Sequence, residues 1–383
     1  MTQNLFKMSH QRHTQPILSF LLLSLFTESL LAQIPYPVLT TKSYHVDKTG
    51  LIEEFFKGSK YLMICATAKF GKSVNLDMLK HFVQLEINET TGIPLNKTES
   101  SGYRLFTNTS LNLSITRNED LIRDHLGEYP TVVLDFATRK INYTSDTFDH
   151  MLDIIRTDIM ECFKPYQWLC DELERRHGKE ENTTKKAQLR LMQNALTKNL
   201  TVEETRTSVY NLTEILTEYF DNKTVMVFVD EIVKLPDDSS NINPKSRSLF
   251  AANDFIGSIL HHVMKKYSNT THLARVFLTA RSRDSLDAIK NPYLKKTVRI
   301  MPFAKEHPYN SYYGFSEYEV TKLCDRHDIT PEQRKVLKEI HTGEQYPKGK
   351  NYVKIYNPDS IMKFLKRFAK PEILSNDTMP DSC

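Results

Sequence analysis

Gly71-Lys72-Ser73 combines three residue types that together bind phosphate. Where a buried strand turns into a helix, consecutive backbone N–H groups converge on one concavity, and the helix dipole adds to their pull on an anion. A lysine there reaches the β- and γ-phosphates, and the serine hydroxyl binds Mg²⁺. The apolar run ending in Ile64-Cys65-Ala66 precedes the triplet, and Val74-Asn75-Leu76 continues it with a helical pattern. The full template opens on a glycine, and Ala66 stands at that position. If the position needs a positive φ, alanine costs about 1–2 kcal/mol there.

Two further stretches carry complementary chemistry. Val225-Met226-Val227-Phe228-Val229 runs into Asp230-Glu231. Asp230 is placed to hold the Mg²⁺ shell, and Glu231 to polarise an attacking water as the candidate base. The bland alternative is a strand ended by solvated acids. The order of phosphate loop first and acidic strand later favours the chemical reading. Thr279 closes another apolar run, with Arg281 and Arg283 just beyond it. Ligands of open α/β sheets bind at the carboxyl ends of strands. Thr279 could therefore position water or sense a γ-phosphate, and either arginine could pair with phosphate oxygens. Surface arginines at a helix start explain the same residues equally well.

The elements that must position these residues follow from periodicity. Tyr61–Ala66, Thr131–Phe136, Val225–Val229 and Ala274–Thr279 are apolar and not alternating, as strands buried on both faces are. Ser73–Leu85 predicts a helix with Leu76, Leu79, Phe82 and Val83 on one face. A short amphipathic helix runs through Phe55 and Phe56, residues 145–220 are mostly helical, and another helix spans about Ser248–Tyr267. The charged middle, "DELERRHGKEENTTKK", predicts a solvated face or a mobile loop. Residues 86–128 read as loop-rich, and beyond about residue 305 only short helices stand out. Strands alternating with helices imply an α/β fold with a parallel sheet covered on both faces.

The chain as a whole has 383 residues, 40% of them hydrophobic, with a net charge of +4. That charge is too mild to argue for a nucleic-acid binder, and "KFLKRFAK" at 363–370 reads as a helix face; nucleic acid is not an expected partner. Ile17–Phe26 is an apolar core behind Lys7 and Arg12, followed by Leu30-Leu31-Ala32-Gln33. It is too short for a bilayer span, which needs about 20 residues, and suits a signal peptide over residues 1–32. Asn-X-Ser/Thr occurs at Asn88, Asn96, Asn108, Asn112, Asn142, Asn182, Asn199, Asn211, Asn222, Asn269 and Asn376. Composition alone predicts roughly three such sequons. Leader and sequons together predict a secreted protein with N-glycans and no transmembrane segment. The last residues, Pro380–Cys383, are not a retention signal of the Lys-Asp-Glu-Leu kind. Five cysteines are present. Cys162 and Cys170 are close enough to bridge, and Cys65 reads as a buried thiol.

In order along the chain, "YHVDKT" at 44–49, Phe70–Ser73 with "VNLDMLKHF", Leu105-Phe106, Tyr129-Pro130 into "TVVLDF", "FVDE", "FLTARS", "YYGFSEYEV" at 312–320 and "YNPDSI" at 356–361 resemble the AAA-ATPase-like family of P-loop proteins. The similarity covers about residues 42–369. It implies a P-loop NTPase-like parallel sheet flanked by helices over 42–304, a smaller helical, lid-like C-terminal part over 305–375, and a tail over 376–383. It also implies Mg-ATP as the cofactor. Phosphate contacts would come from Lys69, Gly71, Lys72, Ser73 and Arg281, metal contacts from Ser73 and Asp230, and catalytic roles from Glu231 and Thr279. Ala66-Thr67-Ala68-Lys69 stands where relatives carry Arg-Pro-Arg-Arg, Ile232-Val233 where they carry Tyr-Asp, and Ala280 where they often carry Gly. Two readings follow: a Mg-ATP binder with weak hydrolysis, and an inactive secreted binding or effector protein, with an unknown protein target, that retains the fold.

Overall fold

The computed structural model describes residues 34–88, 90–136, 147–177, 183–232, 247–265, 272–281, 291–302, 309–348 and 351–368. The segment read as a leader, the sequons at Asn142, Asn182, Asn269 and Asn376, Arg283, Val233 and Cys383 lie outside them.

Five strands form one all-parallel sheet: β1 (Tyr61–Cys65), β2 (Thr131–Asp135), β3 (Val225–Asp230), β4 (Leu273–Ala280) and β5 (Arg299–Pro302), in the order β2-β3-β4-β1-β5. Their side chains divide between two cores. Met63, Cys65, Val225, Val227, Val229, Val276 and Leu278 face the helices Phe148–Phe163, Val202–Tyr219 and Arg247–Lys265. Leu62, Ile64, Met226, Phe228 and Phe277 share the opposite core with the helices Gly50–Lys57 and Lys72–Val83. Apolar residues at consecutive positions of each strand are thus used on both faces, which is why no alternation shows in the sequence. The sheet, its flanking helices and the P-loop NTPase-like α/β class agree with expectation. Leu76, Leu79, Phe82 and Val83 are all buried.

Three local expectations are corrected. β5 has only four residues, including Arg299 and Pro302, and such a short edge strand has no apolar run to announce it. The C-terminal part is not purely helical. Besides the helices Glu317–Arg326, Pro331–Ile340 and Pro358–Phe368, it holds a three-stranded antiparallel sheet of β6 (Phe315–Ser316), β7 (Glu344–Lys348) and β8 (Asn351–Tyr356), in the order β6-β8-β7. β6 has only two residues, and Phe315, Ile355 and Tyr356 join the core that already holds Phe70, Leu76 and Phe228, so this sheet carries no continuous apolar run. Cys162 and Cys170 are not bridged; both are thiols, the first buried inside the Phe148–Phe163 helix.

The C-terminal part is fastened to the segment ahead of the Gly50–Lys57 helix. Lys48 Nζ donates to Glu319 Oε1 at 2.6 Å and to the Ser311 carbonyl at 2.9 Å. Glu319 also closes the capping box at Ser316. Two motifs distant in sequence, "YHVDKT" and "FSEYEV", therefore meet through one half-buried ion pair.

Candidate functional site

β1 delivers the chain to the loop 66–71 at the carboxyl edge of the sheet, beside β4, where the Ala66 N–H donates to the Ala280 carbonyl at 3.1 Å. Ala66 is not among the left-handed residues, so no strain arises from the missing glycine. Positive φ falls instead on Lys69 (69°) and Gly71 (85°). Gly71 is the N-cap of the Lys72–Val83 helix, and a Cβ added there would meet nothing within 4 Å. Its glycine is needed for backbone conformation, not for space. The first N–H groups of that helix lack intrahelical acceptors by geometry; the first intrahelical bond is Asn75 N to Gly71 O, at 3.0 Å.

Lys72 begins the helix and is 6% exposed. Its ammonium folds back over the loop, donating to the carbonyls of Ala66 (2.8 Å) and Thr67 (3.2 Å). It faces Glu231 Oε1 at 3.7 Å. Burial pulls its pKa below the ordinary lysine value, against the opposing pull of Glu231 and Asp230.

Parallel register then assembles the acidic pole. Asp135 pairs with Asp230, and Ile64 of β1 lies level with Thr279 of β4. Val229 pairs with Leu278, which carries the ladder on to Asp230 beside Thr279. Level residues of parallel strands point to the same face, so Asp135, Asp230 and Thr279 share the face covered by the Lys72–Val83 helix. The Thr279 hydroxyl donates to Asp230 Oδ1 and accepts the Glu231 N–H at 2.9 Å. The Ser73 hydroxyl lies beside the Asp230 carboxylate and favours its charged form. Asp230 is pushed up to about 6, chiefly by burial; Ser73 and Thr279 oppose the rise, while Asp135 and Glu231 add to it. Glu231 has a left-handed backbone (φ 57°), and Arg281 Nε lies 3.2 Å from its Oε1.

Of the residues expected to act together, Gly71, Lys72, Ser73, Asp230, Glu231, Thr279 and Arg281 form one constellation. Lys69 is turned elsewhere, 3.5 Å from Asp359 of the Pro358–Phe368 helix. The C-terminal part also holds the loop by its backbone: the Gly314 N–H donates to the Phe70 carbonyl at 3.1 Å, and Asn75 Nδ2 to the Tyr312 carbonyl at 2.9 Å. Sequence reading missed Asp135, Asp359 and Gly314. Asp135 had one available signal, since it ends an apolar strand as Asp230 does.

The donor set fits a magnesium-bound polyphosphate. One buried ammonium and a helix N-terminus face one hydroxyl–carboxylate pair across the mouth of the sheet. A parallel sheet whose first strand enters such a loop, with an acidic strand two places away, defines a P-loop NTPase-like protein. The chain belongs to the AAA-ATPase-like family, described as "Predicted AAA-ATPase", whose model matches residues 36–289. That match ends before the landmarks at 312–320 and 356–361. No curated protein and no solved structure matches the chain.

Proposed function

We propose that the chain binds Mg-ATP at this loop and hydrolyses it weakly, and that it does so as a secreted protein. The observation that carries the reading is the buried Lys72 ammonium at the helix start, 3.7 Å from Glu231 and next to the Ser73–Asp230 pair. Bound magnesium would neutralise phosphate charge. Lys72 would exchange the Ala66 and Thr67 carbonyls for phosphate oxygens. Ser73 and Asp230 would hold the metal, Thr279 would fix the Asp230 carboxylate, and Glu231 would orient water. The test is ATP binding by the purified protein beside Lys72→Ala; equal affinity would remove the site assignment.

A second reading, binding without turnover, draws on one specific contact. Glu231 Oε1 is approached by both Arg281 and Lys72, and a carboxylate oxygen already engaged by two cations has less freedom to orient a water. Single-turnover hydrolysis by wild type and Arg281→Ala separates the two readings. Secretion is supported by the leader-like N-terminus and the sequons. Among the described residues no helix is long and apolar enough to cross a membrane. Sequencing the N-terminus of the protein exported by eukaryotic cells tests cleavage after Ala32.

A further inference from the structure

We propose that the folded chain carries N-linked glycans at Asn88, Asn96, Asn108 and Asn112, coating one surface layer, and at Asn199 and Asn222, while Asn211 stays bare. This rests on the secretory part of the function proposed above and is independent of the nucleotide part.

The four clustered sequons lie on the crossover between the Lys72–Val83 helix and β2. The inner side of that crossover is apolar: Phe106 and Leu113 are 0% exposed and Ile115 is 2% exposed, in the same core as Phe82 and Val83. All four asparagines are exposed. The segment is therefore two-sided, with Phe106, Leu113 and Ile115 inward and the four acceptor amides outward, as a bulky hydrophilic modification requires.

Local geometry lets the folded chain keep its hydrogen bonds when these side chains are modified. Asn88 Oδ1 accepts the Thr90 N–H at 3.0 Å. Asn96 Oδ1 accepts the Thr98 N–H at 3.4 Å and its hydroxyl at 3.3 Å. Asn108 Oδ1 accepts the Ser110 N–H at 3.0 Å and its hydroxyl at 2.6 Å. Glycosylation uses Nδ2, so these bonds to Oδ1 survive it. In the transfer, Nδ2 forms a bond to the anomeric carbon of a lipid-pyrophosphate-linked oligosaccharide. The carbon–oxygen bond to pyrophosphate breaks, the pyrophosphate leaves with the electron pair, and one amide proton goes to solvent. Asn112 (φ 47°) and Asn222 (φ 65°) occupy exposed left-handed positions, and Asn199 is exposed beyond the end of the Thr183–Leu196 helix.

Asn211 differs in every respect. It is half-buried within the Val202–Tyr219 helix, and its Nδ2 donates to Thr207 Oγ1 at 3.4 Å. The sequon's own hydroxyl residue, Thr213, is 0% exposed and donates to the Tyr210 carbonyl at 2.7 Å. Residues 309–368, which brace the phosphate loop, contain no sequon and would remain uncovered.

The test expresses the full chain in secreting eukaryotic cells and treats the exported protein with peptide N-glycosidase in heavy-oxygen water. Peptides are then mapped by mass for labelled Asn-to-Asp conversion. Expected is label on at least three of Asn88, Asn96, Asn108 and Asn112, on Asn199 and Asn222, and none on Asn211. A chain cleaved after Ala32 with fewer labelled positions in the cluster overturns the site assignment alone. Label at Asn211 in folded, exported protein overturns the burial argument. An uncleaved, unlabelled chain overturns both this proposal and the secretory reading.

Discussion

Asp135 and Asp230 end neighbouring parallel strands at the same level of the ladder, and the Phe136 N–H donates to the Asp230 carbonyl at 3.0 Å. The Asp135 charge opposes ionisation of the Asp230 carboxyl. Asp135→Asn is therefore expected to raise the melting temperature of the metal-free protein and to weaken Mn²⁺ binding about 10-fold, a second carboxylate's share of a divalent site. Mn²⁺ titration followed by electron paramagnetic resonance reads the second effect. An unchanged affinity would exclude Asp135 from the metal pole.

Asp230 gives the same pole a pH dependence. Burial lifts its folded-state value to about 6 from an ordinary 3.8. A raised carboxyl contributes stability below the unfolded value and loses it as pH rises through the folded one. Magnesium needs the ionised form. Cation-dependent nucleotide binding should weaken as pH falls below about 6, and Asp230→Asn should be more stable than wild type at pH 7. Thermal unfolding with and without Mg²⁺ at both pH values checks this; a mutant no more stable at pH 7 contradicts it.

Lys72 and Glu231 should separate binding from turnover. Lys72→Ala removes the one buried ammonium of the loop and should weaken ATP binding about 10–100-fold, as loss of a charged hydrogen bond does. Glu231→Gln should leave affinity within a few-fold and lower hydrolysis about 10²–10⁴-fold. Calorimetric titration and phosphate release measure the two. A Glu231→Gln protein that hydrolyses at the wild-type rate would show that the base lies elsewhere or that turnover is absent.

Gly314 ties the C-terminal part to the phosphate loop at a position that tolerates no side chain. Its φ is +80°, and an added Cβ would lie 2.3 Å from Ile355 Cγ2 and 3.0 Å from Phe70 Cδ1. Gly314→Ala is expected to cost about 2–4 kcal/mol, combining left-handed strain with overpacking. Denaturant unfolding gives the value, and a cost below 1 kcal/mol would mean that the junction is softer than its geometry implies.

His45 makes the N-terminal segment acid-sensitive. Burial chiefly holds its imidazole down to about 4, with Asp47 opposing and Arg326 assisting. A histidine depressed in the folded state contributes stability above its unfolded value of 6.5, and that contribution is lost as pH falls toward 4. The loss amounts to about 3 kcal/mol at pH 4. His45→Gln should flatten the melting-temperature profile between these values, and an unaltered slope would clear His45 of the effect.

The amino-acid sequence by itself determined the α/β class, four of the five main strands, the strand–loop–helix around Gly71-Lys72-Ser73 and the acid-ended strand. Each is written locally: strands buried on both faces as continuous apolar runs, the Lys72–Val83 helix as a face of Leu76, Leu79, Phe82 and Val83, the loop as Gly71-Lys72-Ser73. Short elements such as β5 and the β6–β8 sheet left no such signature, because an edge strand, or a sheet that adds a few residues to a core formed by other elements, needs no continuous apolar run. Tertiary structure alone decided that Ala66 bears no strain, that Asp135 stands beside Asp230, and that Lys69 turns to Asp359 while Gly314 bonds the Phe70 carbonyl. These are relations between residues far apart in the chain. Strand register and the packing of the C-terminal part onto the loop create them, and no periodicity within either stretch encodes them.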